Sequence, residues 1–176
     1  MKPFNLCIVR PKGYVHSSTF LELAELLAYS LEDNAVTAEI TENHLDSGKQ
    51  NILIGCHLLS PAVIPQIPAD TIILNTGQIG DQHATWNDRC LTFLRHFRAW
   101  DYSPENIARL KISGIHTVQH LKIGYHPKLE RIVSHGSKVI DVLFYGSMTE
   151  SRQGIVESLK SNGVHVVTLF GVYGAE

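Results

Sequence analysis

Apolar and polar residues follow two different periods along this chain, and the two alternate. Residues 4–9, mostly apolar, read as a buried strand. A loop at 10–18 follows, holding Pro11 and Gly13. Phe20, Leu23, Ala24, Leu27 and Leu31 then recur at steps of three and four, which predicts a helix running to about Glu32. Thr19-Phe20-Leu21-Glu22 in front of it has the form of a capping box. Asp33-Asn34 breaks the helix, and residues 36–40 alternate as a strand. Short apolar runs at 51–55 and 71–74 suit central parallel strands; Pro61, Pro65 and Pro68 make the stretch between them a loop or a broken turn of helix.

Trp86, Cys90, Phe93, Leu94 and Phe97 mark a helix from about Ala84, and residues 99–102 read as a strand. Ser103-Pro104-Glu105 starts another helix, with an N-cap, a proline at the first helical position and an acid in the first turn. That helix is expected to bury Ile107 and Leu110 and to end near Ser113-Gly114, ahead of a sixth strand at 116–120. Residues 121–138, with Gly124, Pro127 and Gly136, lack clean periodicity and read as a crossover linker.

The last stretch repeats the opening one. A strand at 142–145, a Gly146-Ser147 turn, a helix at 151–162 carrying Ile155, Val156 and Leu159, and a strand at 164–170 make a βαβ unit. The first forty residues have the same plan, which suggests two related α/β lobes. The fold expected is therefore α/β: a doubly wound parallel sheet with flanking helices over residues 1–120, a linker at 121–138, and an incomplete second lobe at 139–176. Ligands of such sheets bind beyond the carboxyl ends of the strands.

Composition narrows the function classes. Of 176 residues 44% are hydrophobic and 18% charged, enough apolar material for a packed core. A formal charge of −2 gives no electrostatic case for nucleic acid or a membrane surface. Cys7, Cys56 and Cys90 are scattered with no C-x-x-C, which favours reduced buried thiols over disulfides or zinc. The apolar stretch at the amino end is too short for a signal peptide, and no run approaches the ~18 apolar residues of a membrane span. A cytoplasmic protein is expected.

Four places carry candidate chemistry. His16 lies in the loop after the first strand, close to a helix start, where the dipole disfavours a cation and keeps imidazole neutral, as a general base must be; the alternative is a solvent-exposed loop histidine. Gly77-Gln78-Ile79-Gly80-Asp81 follows another strand, and Gln78 and Asp81 there suit hydrogen bonds to hydroxyls, unless it is an ordinary glycine turn. Gly146-Ser147 with Arg152 brings backbone N–H groups, a hydroxyl and a guanidinium to one helix start, the making of a diphosphate site. Ser147 is also placed to cap that helix, with Glu150 closing the box. His116 and His120 share no carboxylate, no H-E-x-x-H is present, and no metal is expected. Neither G-x-G-x-x-G nor a P-loop occurs.

Four stretches together carry a family resemblance: Trp100-Asp101-Tyr102-Ser103-Pro104-Glu105-Asn106, Gly124-Tyr125-His126-Pro127, Asp141-Val142-Leu143-Phe144-Tyr145-Gly146-Ser147 and Phe170-Gly171-Val172-Tyr173-Gly174-Ala175-Glu176. In this order they resemble bacterial glycosyltransferases of the GT-B architecture, of the kind found in polysaccharide biosynthesis. The resemblance implies two Rossmann-like lobes, an acceptor lobe followed by a lobe for a nucleotide-sugar donor. It also implies transfer of a sugar to a hydroxyl acceptor without a metal or other cofactor. His16 would remove the acceptor proton, Asp81 or Asp101 would orient it, and Gly13, Tyr14 and Gln78 would hold the acceptor. Gly146, Ser147 and Arg152 would meet the donor diphosphate. Enzymes of this type continue well beyond the FGVYG stretch, so the chain reads as an amino lobe plus the first βαβ of the donor lobe. The apolar edges of that βαβ predict a homo-oligomer. The alternatives are a non-catalytic binding or interaction module of the same fold and, more remotely, a flavodoxin-like or response-domain protein; the lack of an acidic cluster at a strand end speaks against the last.

Overall fold

The computed structural model describes residues 2–80, 84–132 and 136–172, which fall into two compact units, Met1–Leu129 and Glu130–Glu176. The first unit has six strands, β1 (Phe4–Ile8), β2 (Ala38–Glu42), β3 (Gln50–Ile54), β4 (Ile72–Asn75), β5 (Arg98–Asp101) and β6 (Val118–His120). Its helices are α1 (Leu21–Asp33), α2 (Ala84–His96) and α3 (Pro104–Ile112). The strands lie in the order β2-β1-β3-β4-β5-β6 and every neighbouring pair is parallel. This is the doubly wound, Rossmann-like α/β sheet expected from the alternating pattern. Its 2-1-3-4-5 core is the flavodoxin-type order rather than the 3-2-1-4-5-6 of dinucleotide-binding sheets, and the winding reverses between β1 and β3.

Side chains alternate across the strands, so each strand feeds two cores. Leu6, Ile8, Ile52, Ile54, Ile72 and Leu74 pack with Ala24 and Ala28 of α1 on one face. Cys7, Val9, Leu53, Ile73 and Ala99 pack with Phe93 and Leu94 of α2 and Leu110 of α3 on the other. Each fully buried aliphatic side chain of this kind stabilises by about 1.5–3 kcal/mol relative to exposure.

The β2–β3 connection is the odd one. It must cross β1, yet it has only residues 43–49 and no helix, where parallel crossovers normally take a dozen residues or more. A bare loop laid on a sheet face buries backbone groups that need partners. Asn5 and Asn51, both wholly buried in the strands beneath, supply them. Asn5 Nδ2 donates to His44 O (2.9 Å) and to Asn51 Oδ1 (2.9 Å), while Asn51 Nδ2 donates to Asp46 O (2.8 Å) and Asn51 Oδ1 accepts the Asp46 N–H (3.0 Å). Thr41 Oγ1 completes the set by donating to Asn5 Oδ1 (2.8 Å). Two amides inside otherwise apolar strands thus do the work of a helix.

Two local expectations are corrected. Residues Val15–Phe20 form a 3-10 helix running straight into α1, so Thr19 builds no capping box; its hydroxyl donates to His16 O (2.7 Å), and Phe20 takes the cap position without a side-chain bond. The strand expected at 36–40 begins two residues later. The Asn34, Ala35 and Val36 N–H groups all close onto the end of α1, with Ala35 left-handed at φ 56. Of the stretch expected as a crossover linker, residues 121–129 belong to the first compact unit. Leu121 packs with the α1-side core, and the His126 ring lies 5.2 Å from that of Tyr29. His126 Nδ1 accepts the Lys128 N–H (3.2 Å), so the ring proton sits on Nε2 and faces Asp33 Oδ2 at 3.1 Å.

The second unit consists of β7 (Val142–Tyr145), α4 (Glu150–Ser161) and β8 (Val166–Leu169), with β7 and β8 directly paired and parallel. The same holds of β1, α1 and β2, so the internal repeat is one of topology. Thr149, not Ser147, caps α4: its Oγ1 accepts the Arg152 N–H at 3.3 Å. Val156 and Val166 are buried, whereas Leu143, Tyr145 and Leu169 stay exposed. Among the described residues no helix is long and apolar enough to cross a membrane.

The amide pair under the 43–49 crossover gives the first testable outcome. Replacing Asn51 by Ala leaves Asp46 N–H and O and Asn5 Nδ2 short of partners, and is expected to cost about 1–3 kcal/mol in urea unfolding. An unchanged midpoint would show that the loop does not depend on the pair.

Candidate functional site

The carboxyl ends of β1, β3 and β4 carry three loops, and the winding reversal puts the first two side by side. The loop after β1 is clamped at its root. Asn43, left-handed at φ 51, bonds both backbone groups of Arg10 through its side-chain amide (2.8 and 2.7 Å). Ser17 Oγ donates to Val9 O at 2.7 Å. The Arg10 guanidinium donates to Ser18 Oγ (3.2 Å), and its Nε lies 2.9 Å from Glu42 Oε1, out of line for a hydrogen bond. Beyond this root, Gly13 turns at φ 77 with open space around it, Tyr14 is partly exposed, and the His16 ring meets the Tyr14 ring edge-on at 5.2 Å. Gly13, Tyr14 and His16 are therefore neighbours, as the sequence places them.

The turn after β3 locks onto that loop through Phe20. Gly55 is left-handed at φ 88, and a Cβ there would lie 3.0 Å from the Phe20 ring. On the other side Phe20 meets His57 at 6.1 Å, ring to ring. His57 is buried, and desolvation pulls its pKa down to about 4, so it is a neutral imidazole at pH 7.

The loop after β4 is held from below. Asp101, at the end of β5, is wholly buried. Its carboxylate accepts from Asn75 Nδ2 (2.6 Å), from the Ser103 N–H (2.7 Å) and from Asn106 Nδ2 (3.2 and 3.3 Å). Asn75 and Asn106 in turn bond Gly77, and Asn106 bonds Ile79, leaving Gln78 exposed at the tip. What Asp101 orients is this loop. Asp81 lies outside the described residues. Ser103, as expected, caps α3 with its hydroxyl on the Asn106 N–H (3.2 Å).

In the second unit, Gly146, Ser147 and Arg152 come together at the start of α4. Arg152 Nη1 donates to Ser147 O (2.7 Å), and its guanidinium lies 5.9 Å from the centre of the Phe144 ring. Gly146 adopts φ 129, open only to glycine, and donates its N–H to Leu169 O at 3.0 Å. That N–H is committed to closing the sheet.

The chain resembles two viral proteins. It is 30% identical over 132 residues to Uncharacterized protein L137 of Acanthamoeba polyphaga mimivirus, a match covering 72% of this chain and 17% of that one. It is 28% identical over 132 residues to Uncharacterized protein L140 of the same virus, covering 74% of this chain and 42% of that one. The chain thus spans less than half the length of either relative. No protein-family model and no solved structure matches it.

Sequence reasoning singled out His16, Tyr14, Gln78 and Asp101 and passed over the structural parts played by Asn75, Asn106 and His57. The first two had a readable signal: an asparagine ending an apolar strand just before a glycine, and a second asparagine three residues past a serine cap. His57 had none, because its burial depends on Phe20 reaching across from another element.

The depressed pKa of His57 predicts an acid-side loss of stability. Unfolded, the group titrates near the ordinary 6.5; folded, only near about 4. Between those values the unfolded chain binds more protons, so stability rises with pH. The contribution is complete above about pH 6.5 and falls away by about 3 kcal/mol on the way to pH 4. Urea midpoints of wild type and His57→Gln across that window test it: the substitution is expected to flatten the slope, and parallel curves would refute the assignment.

Proposed function

We propose that this chain is part of a glycosyltransferase of the GT-B type, with the acceptor bound in the first unit and a nucleotide-sugar engaged by the second. The observation that carries the reading is the convergence of Gly146, Ser147 and Arg152 at the start of α4. A glycine bend leaving a parallel strand, a helix N-terminus and a guanidinium together favour a bound diphosphate. The family resemblance of the surrounding motif supports the same assignment.

In this mechanism His16 takes the proton of the acceptor hydroxyl as its oxygen bonds to the anomeric carbon. The bond from that carbon to the diphosphate breaks, and the leaving charge is met by Arg152, the Ser147 hydroxyl and the first turn of α4 rather than by a metal. Gly13 leaves room at the loop and Tyr14 flanks the base. Asp101 acts as a positioning residue for the loop bearing Gln78, and of the two candidate carboxylates Asp81 is the one assigned to orient His16. A second reading, a non-catalytic binding module, is favoured by that same observation: the Asp101 carboxylate is saturated by structural bonds.

Thermal unfolding against UDP-, GDP- and dTDP-sugars tests the reading. A ligand at about 100 times its Kd adds about 2.7 kcal/mol of stability. One nucleotide is expected to raise the Tm, with the shift lost in Arg152→Ala; no shift with any of them removes the donor role. If turnover is found, His16→Ala is expected to abolish it while leaving that shift in place.

The homo-oligomer belongs to the same proposal. A two-stranded sheet with exposed Leu143, Tyr145 and Leu169 is below the size at which a sheet holds a core of its own, and a second copy would add strands to it. Light scattering is expected to give a multiple of the chain mass, and a monomer at all concentrations would remove this element.

A further inference from the structure

Residues 122–129 run from the last strand of the first unit to its boundary. Just before them, the Leu121 N–H donates to Asp101 O (2.9 Å) and the Leu121 side chain joins the core under α1. Lys122 to Tyr125 are exposed, with open space around Gly124, and so are Pro127 and Lys128. His126 is the one buried residue of this stretch. Its ring lies tilted on Tyr29, 5.2 Å between centres; Nε2 meets Asp33 Oδ2 at 3.1 Å, and Nδ1 accepts the Lys128 N–H at 3.2 Å. The Leu129 N–H returns to His126 O (3.0 Å) and closes a single turn behind the ring. Lys128 adds a second tie, its Nζ 3.2 Å from Glu32 Oε2 and 4.8 Å from the centre of the Tyr29 ring.

A permanent attachment would be built differently. A leucine at 126 could dock on the Tyr29 ring with no polar atom to satisfy, whereas a buried imidazole needs a partner at each nitrogen. One of these partners, the Lys128 N–H, belongs to the segment itself and moves with it. The other, Asp33, has its side chain 65% exposed, and the Lys128 and Glu32 side chains are about half-exposed. Water competes for each of these bonds and replaces it when it opens, so the ties are weak. Tyr29, Glu32 and Asp33 stand three and four residues apart, on one face of α1. Letting go of that face disturbs neither the Ala24 and Ala28 contacts of α1 nor the strands beneath them. Contacts that are local, replaced by water and separate from the core open on their own, well short of global unfolding.

We infer that residues 122–129 form a releasable strap, with His126 as its catch on α1, and that the strap sets how much chain joins the two units. Fastened, it holds the chain to the first unit as far as Leu129, where that unit ends. Released, the free chain starts at Lys122, which adds up to about 28 Å of reach. Pro127 fixes the backbone next to the catch, so less freedom is lost each time the strap closes.

Amide exchange of the isotopically labelled full chain, followed by NMR in increasing sub-denaturing urea, tests the strap. The Leu129 N–H is expected to exchange through an opening that urea hardly accelerates, whereas amides of β1, β3 and β4 exchange through one that urea accelerates steeply. Asp33→Ala changes an exposed side chain and leaves the His126–Leu129 turn intact. It is expected to speed exchange at Leu129, and trypsin cleavage after Lys122 and Lys128, by about tenfold with the core amides unchanged. Asn51→Ala is expected to do the reverse, speeding the core amides and leaving Leu129 as in wild type, which separates release from general loosening. At matched oligomeric state, X-ray scattering is expected to give His126→Ala a larger radius of gyration than wild type. The strap is overturned if Leu129 follows the urea dependence of the core, if Asp33→Ala changes neither exchange nor cleavage, or if Asn51→Ala speeds Leu129 as much as the core. An unchanged radius in His126→Ala would overturn its role in reach.

Discussion

A parallel sheet covered on both faces allows no buried backbone group to go unpaired, and this constraint explains the buried asparagines Asn5, Asn51, Asn75 and Asn106 of the first unit. Where a helix covers the sheet, its own hydrogen bonds satisfy the covering backbone, and the strands beneath can be purely apolar, as Leu6, Ile8, Ile52 and Ile54 are under α1. Where the chain crosses without a helix, the sheet has to lend the missing partners. Asn5 and Asn51 do so for the 43–49 crossover, Asn43 does so for Arg10, and Asn75 with Asn106 does so for the loop after β4. Asparagine recurs because one short side chain carries both a donor and an acceptor and so pairs with a peptide as another peptide would.

The same constraint decides how much of the fold could be read in advance. Apolar runs mark the central strands β1, β3 and β4, because most of their residues are buried on both faces, whereas the edge strands β2 and β6 are part exposed and carry polar residues. Ser103-Pro104 marks the start of α3, because its signal is local: a cap and a fixed φ within adjacent residues. Thr19 was misleading. Its hydroxyl has a second local partner, His16 O, once the preceding residues wind into a 3-10 helix, and that choice is set by Phe20 docking against Gly55. Ser147 and Thr149 are a similar case: two hydroxyls stand near one helix start, and the one whose backbone is extended at φ −103 takes the cap. Such choices are made by packing that residue spacing does not encode.

The candidate site divides along the same line. Gly13, Tyr14 and His16 are close in space because they are close in sequence, and that part was legible. Asp101 was legible as a polar residue at the carboxyl end of a strand, where ligands bind, but its burial was not. The three donors that enclose it come from β4, the β5–α3 turn and α3, elements that meet only in the folded sheet.

That enclosure has a consequence for chemistry. A carboxylate orients a catalytic imidazole by accepting the proton of the ring nitrogen that faces away from the substrate, which requires a free lone pair pointed at the ring. Both oxygens of Asp101 already take bonds from Asn75, Ser103 and Asn106, and releasing any of them would unseat Gly77 or the start of α3. The geometry makes loop placement and base orientation competing uses of one group. With the first use filled, the acid at the end of β5 holds the loop after β4 and the start of α3 in place.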